Sequence, residues 1–267
     1  MSFLKKDLRK EYIIPHDRVF YITSEKFYYE LVHFSQVDGI FHLGAISSTT
    51  EMDWAKINLY NIYLSRILIN FAQEYNIHLV FASSASLYGH SISFGCSDAG
   101  QVFSPYEYSK SVIEKYLMGL VKRVGAKMVA LRLFNVYGEH EQHKQNHASP
   151  YFKFRAQAEK GDDIILFKHS GDFLRDFVAV EDVVALMYQV FEKRVVGLYN
   201  SGTGDAISFE SVAQAIADEY QANIQWVEMP NKLKLHYQIY TKSDNRSLLK
   251  EIGAWKFIEI LKRIKKS

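Results

Sequence analysis

Cysteine is almost absent from the chain, because Cys96 is the only one. One thiol cannot form an intrachain disulfide, and it excludes a zinc site built from several cysteines. No stretch approaches the ~20 consecutive apolar residues that a membrane-spanning helix needs, and the first residues lack the apolar segment of an export signal. We therefore expect a cytoplasmic protein without a membrane partner.

An excess of charge is missing as well. The 267 residues include 32 Lys and Arg against 30 Asp and Glu, which gives a formal net charge of +2. Nucleic-acid-binding domains carry a strongly basic surface, so nucleic acid is not an expected partner. With 48% hydrophobic residues, the chain is long and apolar enough to bury a full core.

Glycine is absent before Gly39, although the whole chain has 14 glycines. Dinucleotide-binding folds use a glycine-rich turn between the first strand and the first helix, where backbone N–H groups reach the pyrophosphate. The stretch SGTGDA (201–206) has two spaced glycines, but Ile207 stands where a third would be. The usual dinucleotide fingerprint is therefore missing from this sequence.

Short β-rich runs alternate with longer helical patterns in the first half of the chain. The runs 39–45, 77–84 and 127–138 indicate strands, and the runs 54–75 and 105–124 indicate helices. Such alternation is typical of βαβ crossovers and a parallel sheet. The nearly continuous apolar character of the last two strands predicts that both of their faces are covered.

The pattern changes after Gly138, where a polar and irregular segment follows. Beyond it the sequence indicates a helix over 150–160, a strand over 163–167, a strand and then a helix within 175–193, a short strand at 197–202, a helix over 208–220, a strand within 224–230 and a final helix to Ser267. No internal repeat or low-complexity linker marks a tethered domain.

The stretch SPYEYSK (104–110) predicts a helix that begins at Pro105. Ser104 and Glu107 have the spacing of a capping box. Pro105 falls at the first helical position, where its missing N–H costs nothing.

Tyr106 and Lys110 lie four residues apart on one face of this helix, whereas Tyr108 has Val112 at the corresponding position. A nearby ammonium stabilises a phenolate and can lower the phenol pKa by roughly 1–3 units. We expect Lys110 to have this effect on Tyr106. On the pair alone, the alternative is a packed tyrosine beside a solvated lysine.

The stretch FASSASLYG (81–89) places serines where a strand ends. A parallel strand that runs into such a turn puts Ser83 or Ser84 at the carboxyl edge of the sheet, where α/β proteins form their sites. A serine hydroxyl there can hydrogen-bond a substrate alcohol beside the phenolate.

These residues resemble the extended short-chain dehydrogenase/reductase family, which has Tyr-x-x-x-Lys as in YEYSK and an upstream serine as in SSASLYG. The resemblance implies that Ser84 takes the serine role, Tyr106 is the acid/base, and Lys110 binds the nicotinamide ribose. Ser83 is then a neighbour. The resemblance further implies a cofactor-binding set made of Leu43, Gly44, Ala45, Ile46, Ser47, Asn61 and Lys110.

Within that family, five stretches are similar to the ADP-L-glycero-D-manno-heptose 6-epimerases: FHLGAISSTTEMD, FNVYGEHEQHKQNHAS, LFKHSGDFLRDFV, YNSGTGDAISFESVA and NKLKLHYQIYT. The resemblance implies transient oxidation of C6 of an ADP-heptose by NADP, or by NAD, for lipopolysaccharide core synthesis. Lys144 would be a second acid/base facing the sugar opposite Tyr106, because each orientation of the ketone needs its own proton handler. The alternative for Lys144 is a solvated loop lysine.

The same resemblance assigns the substrate contacts Asn135, Val136, Asn146, Lys153, Phe167, Lys168, His169, Ser170, Arg175 and Tyr237. Arg175 would pair with the nucleotide pyrophosphate, since a guanidinium fork matches phosphate oxygens. Its alternative partners are Asp176 and Asp182. For Tyr237 the alternative is a half-buried aromatic residue.

The chain departs from this group in the loop after Lys144. Gln145 and Asn146 stand where the group has a glycine and a serine, and Lys153 replaces a histidine, so the reaction is implied more directly than the sugar. Three histidines in the same region, His140, His143 and His147, could suggest a metal site. The loop is predicted to be irregular and the family uses no metal, so we expect none.

The resemblance implies an N-terminally truncated Rossmann-type doubly wound parallel sheet over residues 1–137, and a smaller C-terminal α/β substrate lobe over 138–267. The segment 174–200 is expected to return to the first domain. Aligned with the family, Met1 falls just beyond the second strand, so about 30 residues with the glycine-rich unit would be absent. We favour a misassigned start codon or a decaying gene over a divergent protein completed by another chain.

Two other functions stay open from the sequence. A related 4-epimerase, dehydratase or reductase would keep the family, although a dehydratase normally has an acidic pair that SSASLYG lacks. A non-catalytic remnant that binds a nucleotide sugar would fit the missing glycine-rich unit. We expect an ADP-sugar as the small-molecule partner and a homo-oligomer as the assembly.

Overall fold

Strands and helices alternate along the described part of the chain. The computed structural model describes residues 2–4, 20–22, 31–91, 93–98, 100–231 and 237–265. The strands are β1 (Ser2–Leu4), β2 (Phe20–Ile22), β3 (Gly39–His42), β4 (His78–Ser84), β5 (Met128–Leu133), β6 (Asn135–Tyr137), β7 (Ile164–Phe167), β8 (Leu174–Arg175), β9 (Phe177–Ala179), β10 (Gly197–Ser201), β11 (Ile207–Ser208) and β12 (Ile224–Val227). The α-helices are α1 (Trp54–Ile57), α2 (Leu64–Glu74), α3 (Pro105–Val124), α4 (Pro150–Glu159), α5 (Val180–Glu192), α6 (Phe209–Tyr220), α7 (Arg246–Ile252) and α8 (Ile260–Ile264).

The central sheet has the strand order β10-β5-β4-β3, and every neighbouring pair in it is parallel. The three strands predicted in the first half of the chain are therefore adjacent and parallel. This confirms the prediction of a Rossmann-type α/β fold with a parallel sheet and flanking helices. Because the strands are parallel, their carboxyl ends meet at one edge of the sheet.

Strand β4 contributes to a core on each face of the sheet. Val80 and Ala82 pack into a cluster with helix α5, whereas Leu79 and Phe81 pack into a cluster with helices α2 and α3. Successive side chains of a strand point to opposite faces, so a strand covered by helices on both sides is apolar throughout. The predicted burial of both faces is confirmed.

A third core lies among helices α4, α6 and α8 and strand β7. Around it, β6 pairs with β9 and β7 pairs with β12 in parallel, while β8 pairs with β11 antiparallel. Strand β10 lies beside β5 in the central sheet. The division of the chain at residues 137 and 138 stays a prediction.

The helical run predicted over 54–75 is continuous but not uniform. A π-helical segment, Asn58–Tyr63, separates α1 from α2. π-turns are rare and often occur at functional sites. This one contains Asn61, which is buried.

The prediction of one final helix that continues to Ser267 is wrong, because the chain forms two short helices, α7 and α8, in this region. Gly253 ends α7 with a φ of 95°, a region that disfavours side chains. The Asp182 carboxylate then accepts hydrogen bonds from Trp255 Nε1 at 3.0 Å and from Ile258 N–H at 2.8 Å. These two bonds hold the intervening segment out of a helix, while residues 266 and 267 lie outside the described residues.

Strands β1 and β2 were not predicted from the sequence. They pair with each other in parallel, and a three-residue strand is too short to show an alternating pattern. The polar segment after Gly138, predicted to be irregular, contains the 3₁₀ helix Gln142–His147. Among the described residues, no helix is long and apolar enough to cross a membrane.

Candidate active site

Helix α3 begins at the predicted capping box. Ser104 Oγ accepts a hydrogen bond from Glu107 N–H at 3.2 Å, and Glu107 Oε2 accepts from Ser104 N–H at 3.2 Å. Pro105 occupies the first turn. The predicted start of the helix is confirmed, and it directs the first turns of α3 against the end of β4.

Tyr106 is buried at the start of α3. Burial raises the pKa of its phenol, and a side-chain hydrogen bond with Ser84 opposes that rise. The prediction that Lys110 lowers this pKa is wrong in direction, because the loss of hydration of the phenolate has the larger effect. Tyr108 lies apart from this face, since it is 47% exposed and packs edge-on against Trp54.

Lys110 is buried one turn further along α3. Its Nζ donates to the carbonyl oxygen of Ala82 at 2.6 Å and lies 5.9 Å from the centre of the Tyr106 ring. Burial lowers the pKa of the Lys110 ammonium from 10.5 to about 8. The lysine is therefore charged at neutral pH, although it bonds to the end of β4 and not to the phenol.

The two candidate serines point to different surroundings. Ser84 is the last residue of β4, and its Oγ accepts from Ser86 N–H at 3.2 Å and lies 2.9 Å from Ser86 Oγ. Ser83 Oγ donates to Glu114 Oε2 at 2.8 Å inside the protein. Of the two, Ser84 is the one whose side chain affects the Tyr106 phenol, and its role in catalysis stays a prediction.

The loop 43–47 follows β3 and is tied to α3 through Asn61. Asn61 Oδ1 accepts from Ile46 N–H at 2.8 Å, and its Nδ2 donates to Ile46 O and to Ser109 Oγ, both at 3.0 Å. Ser109 Oγ donates to Tyr106 O at 2.6 Å. The Asn61 amide thus positions the loop against the start of α3.

The carboxyl edge beside this loop has room and donors for a hydroxyl-bearing group. Leu43 is 53% exposed, and among the described residues no heavy atom beyond the chain neighbours of Gly44 lies within 4 Å of the position that a Gly44 side chain would take. In the described part of the chain, Lys110 donates only to Ala82, which leaves two ammonium N–H groups for hydroxyls. These features fit the nicotinamide-ribose end of a dinucleotide. No glycine precedes Gly39, so the described residues offer no glycine-rich turn for its pyrophosphate.

His42, at the end of β3, is a residue of this region that the sequence interpretation missed. Its Nε2 lies 2.7 Å from Ser65 Oγ. Burial, and then the charge of Lys110, lower the His42 pKa to about 3, so the ring is neutral at physiological pH. The signal that could have found it was a histidine inside an otherwise apolar predicted strand, 39–45.

Arg175 is a buried cation on β8. Its guanidinium donates to the carbonyl oxygens of Leu174, at 2.9 Å, and of Gln238. It also lies 5.3 Å from the centre of the Phe209 ring and 5.2 Å from that of Tyr237. Burial lowers the pKa of Arg175 to about 10, so the guanidinium still carries its charge between two aromatic rings at neutral pH.

The carboxylates considered as alternative partners of Arg175 are engaged elsewhere. Asp176 accepts from Thr203 N–H, Thr203 Oγ1, Gly204 N–H and Ser243 N–H at 2.8, 2.7, 2.9 and 2.9 Å. Asp182 binds the segment between α7 and α8. Within the described ranges, Arg175 has no carboxylate partner, so both alternative pairings are wrong.

Hydrogen bonds connect the surroundings of Arg175 to the serine turn. Gln238 accepts from Arg175 through its carbonyl oxygen, and its Nε2 donates to Gly89 O at 2.6 Å. Gly89 directly follows the 3₁₀ turn Ala85–Tyr88, and Ser84 caps the start of that turn. The segment that contains Tyr237 and Gln238 therefore bridges β8 and the turn after β4.

Lys144 lies in the 3₁₀ helix and pairs with a carboxylate of its own loop. Its Nζ is 3.2 Å from Glu141 Oε2, and its side chain is 40% exposed. Glu141 is buried and also accepts from Gly138 N–H at 3.1 Å and from Ser149 Oγ at 2.7 Å. The role of Lys144 in catalysis stays a prediction.

Gln145, which stands where the resembling group has a glycine, has a φ of 47° and a ψ of −119°. That conformation favours glycine. The next residue, Asn146, lies in the same short helix, and its side chain falls outside the described part. Lys153 is exposed on α4. Partial desolvation of its ammonium lowers its pKa, and the charge of Glu141 opposes that effect.

The remaining predicted substrate contacts occupy two places. Asn135 and Val136 are half-buried on β6 beside β9. The set Phe167, Lys168, His169 and Ser170 forms the end of β7 and the turn after it, where Lys168 Nζ pairs with Glu228 Oε1 at 2.8 Å. No group of three or more His, Cys, Asp or Glu side chains in the described ranges could hold a metal ion. The expectation of a metal-free site stays a prediction.

The sequence profile of the NAD dependent epimerase/dehydratase family matches residues 20–202. The chain belongs to this family. The arrangement of Ser84, Tyr106 and Lys110 at the carboxyl edge of the sheet therefore occurs in a member of this family.

Three solved structures illustrate the similarity of fold. UDP-N-acetylglucosamine 4-epimerase from Methanobrevibacter ruminantium has a TM-score of 0.88 and 21% identity over 99% of this chain and 88% of that chain. UDP-glucose 4-epimerase from Thermus thermophilus, in complex with NAD, has a TM-score of 0.81 and 21% identity over 99% and 88%. ADP-L-glycero-D-manno-heptose-6-epimerase from Helicobacter pylori has a TM-score of 0.77 and 23% identity over 89% and 74%.

Proposed function

We propose that the chain is a nucleotide-sugar epimerase that oxidises one sugar carbon to a ketone and reduces it again from the opposite face. The observation that carries this proposal is the meeting of Tyr106, Ser84 and Lys110 at the carboxyl edge of the parallel sheet. Membership of the NAD dependent epimerase/dehydratase family supports the same reaction class.

The cofactor in this proposal is a nicotinamide dinucleotide, NADP or NAD, which accepts and returns the hydride when bound. Lys110 would hold its ribose hydroxyls with the two N–H groups that Ala82 leaves available. The loop 43–47 would cover the adjoining half, where Leu43 is exposed and the described part of the chain leaves space beside Gly44. The NAD complex of the Thermus enzyme supports this class of cofactor.

Tyr106 is the proposed acid/base. Its phenolate would take the hydroxyl proton of the sugar alcohol as the C=O bond forms, and the phenol would return that proton as the bond is reduced. Burial raises the phenol pKa, so formation of the phenolate depends on the hydrogen bond with Ser84, which lowers that pKa.

Arg175 is the proposed contact for the pyrophosphate of the nucleotide. It is buried and positively charged, and the two bonds it makes in the described part go to carbonyl oxygens. A phosphate would give this desolvated cation the anionic partner that Asp176 and Asp182 do not supply. Tyr237, beside the guanidinium, would lie along the same ligand.

For the sugar, we propose C6 of an ADP-heptose, with Lys144 as the proton handler for the second orientation of the ketone. The stretches around Lys144 and Arg175 that are similar to the 6-epimerases support this choice, as does the fold of the Helicobacter enzyme. Lys144 and Glu141 form an ion pair within one loop. In the proposed reaction, Lys144 would leave Glu141 and bond to the sugar oxygen.

A second candidate is a UDP-sugar 4-epimerase. It is favoured by the ion pair between Lys144 and Glu141, which engages the lysine within its own loop. In that case Tyr106 alone would handle the proton for both orientations. The folds of the Methanobrevibacter and Thermus 4-epimerases are consistent with this candidate.

The experiment that separates these candidates supplies the chain with NADP or NAD and with either ADP-D-glycero-D-manno-heptose or UDP-glucose. Products are identified by proton NMR, with Tyr106→Phe as the inactive control. Appearance of the C6 epimer of the heptose is the expected result. If only UDP-glucose is epimerised, the ADP-heptose proposal is wrong and the second candidate, a UDP-sugar 4-epimerase, takes its place. If calorimetry shows that the sugar nucleotides bind but no product appears, the proposal of catalysis is wrong.

A further inference from the structure

Three consecutive positions on one face of α3 contact the end of β4. Tyr106, Lys110 and Glu114 are spaced by four residues, and all three are buried. Tyr106 lies beside the Ser84 side chain, Lys110 Nζ donates to Ala82 O, and Glu114 Oε2 accepts from Ser83 Oγ. Each turn of the helix is thus joined to a different residue of the strand.

Glu114 also forms an ion pair with the next strand. Arg132 on β5 donates through Nη2 to Glu114 Oε1 at 2.6 Å and through Nε to Oε2 at 3.0 Å. A guanidinium that meets a carboxylate with two N–H groups fixes both the distance and the angle. Arg132 stands directly across from Ser83 in the β4–β5 register, so both partners of Glu114 belong to one rigid sheet.

Arg132 also has a contact outside its ion pair with Glu114. Its guanidinium lies 4.8 Å from the centre of the Tyr88 ring, in the turn that follows Ser84. Tyr88 Oη donates to Asn200 Oδ1 at 2.6 Å, on strand β10. Glu114 is therefore connected to the serine turn through Arg132 as well as to β4 through Ser83.

Stability alone does not explain a charged pair at this place. Replacing a buried ion pair by well-packed apolar residues is often neutral or stabilising, because removing both charges from water is costly. Contacts between apolar side chains have no preferred direction. A bidentate pair resists both sliding and rotation of a helix on a strand, whereas apolar contacts resist them weakly.

We propose that Glu114 is a positioning residue that fixes α3 on β4 and thereby sets how Tyr106 meets Ser84. A side chain extends about 5–6 Å from the axis of a helix, so a rotation of about 10° displaces its tip by about 1 Å. A misplacement of about 1 Å can lower a rate ~100-fold. The kinetic part of this proposal rests on the proposed function, whereas the geometric part does not.

The test compares two apolar double variants. Glu114→Leu with Arg132→Met removes the ion pair but keeps the buried volume. The matched control, Glu259→Leu with Lys262→Met, removes an exposed ion pair of 2.6 Å at α8. Circular dichroism should show that both double variants fold, because each removes both charges of an ion pair and so leaves no charged side chain of that pair without its partner.

In the Glu114 double variant we expect kcat to fall between about 10- and 100-fold with KM unchanged, since binding contacts are retained and only the reacting geometry changes. The control variant should match the wild type in both constants. If the Glu114 double variant keeps its kcat, the ion pair is structural and the proposal is wrong. Should that variant fail to fold, Glu114→Gln, which keeps an acceptor for Ser83, must show the same loss of kcat.

A second readout does not depend on turnover. Tyrosine labelled with ¹³C at Cζ reports the charge of each phenol, and Tyr106→Phe assigns the signal of Tyr106. We expect the Tyr106 pKa to rise further in the Glu114 double variant, because the Ser84 hydrogen bond that lowers it is lost while burial and the charge of Glu107, which raise it, remain. An unchanged titration would overturn the positioning role. If the wild type turns over no sugar, the proposed function fails, and this titration still decides the role of Glu114.

Discussion

Burial of the Lys110 ammonium should make the folded protein less stable at neutral pH than a neutral side chain would. The pKa of Lys110 falls from 10.5 to about 8 on burial. That difference of about 2.5 units corresponds to roughly 3 kcal/mol at ~1.36 kcal/mol per unit. Lys110→Met removes this cost but leaves the Ala82 carbonyl without its donor, which costs about 1 kcal/mol. The variant should therefore be more stable than the wild type by about 2 kcal/mol at pH 7.

The sign of this difference should reverse with pH. Below pH 8 the lysine is protonated in both the folded and the unfolded state, so the wild type carries the full cost. Between about 8 and 10.5 only the unfolded chain binds the proton, so the free energy of unfolding of the wild type rises with pH. Above that range the wild type should be the more stable protein by about 1 kcal/mol, because its neutral amine can still donate to Ala82.

Urea unfolding followed by circular dichroism, from pH ~7 to pH ~10, measures this difference for Lys110→Met. Lys115→Met is the matched control, since Lys115 is an exposed lysine on the same helix. The control should show no pH-dependent difference from the wild type. A stability difference between Lys110→Met and the wild type that stays constant over this pH range would refute the argument from burial.

Four further predictions concern the site. Tyr106→Phe should lower epimerisation ~100-fold or more while Tyr108→Phe leaves it unchanged, because only Tyr106 is placed to transfer a proton; equal rates in the two variants would contradict the assignment. Lys144→Ala should cause a comparable loss, and an unmodified rate would leave Tyr106 as the only acid/base. Arg175→Lys should weaken calorimetric binding of the nucleotide sugar by about 10-fold, because the forked contact to phosphate is lost; equal affinity would place the pyrophosphate elsewhere. Gln145→Gly should raise the free energy of unfolding by about 1–3 kcal/mol by relieving its strained backbone, and a lower midpoint in urea would contradict that strain.

Local chemistry near Pro105 was sufficient to predict helix α3 and its start. A capping box and a proline at the first turn depend only on neighbouring residues, so the register that brings Tyr106 and Lys110 onto one face could be derived without the structure. The parallel order of β3, β4 and β5 was predictable for a related reason. Their continuous apolar character reflects a sheet covered on both faces.

Properties that depend on contacts between distant residues were not predictable. The rise in the Tyr106 pKa comes from burial by the whole fold, and the sequence shows only that Lys110 is near. The bond from Arg175 to Gln238 joins residues 63 positions apart, and nothing in the pattern around Arg175 indicates it. Gly253 was a visible sequence signal for the interruption between α7 and α8. The hydrogen bonds from Trp255 and Ile258 to Asp182, which stabilise the segment between the two helices, had no such signal.

The four hydrogen bonds to Asp176 have a consequence for any motion that accompanies binding. They join β8 to Thr203 and Gly204 on one loop and to Ser243 on another. Bonds from backbone N–H groups to a buried carboxylate are charge-assisted, so separating any of these segments would leave a charge without its donors. The three segments should consequently move as one rigid body that carries Arg175 with it, and the hinge of any closure over a ligand must lie outside them.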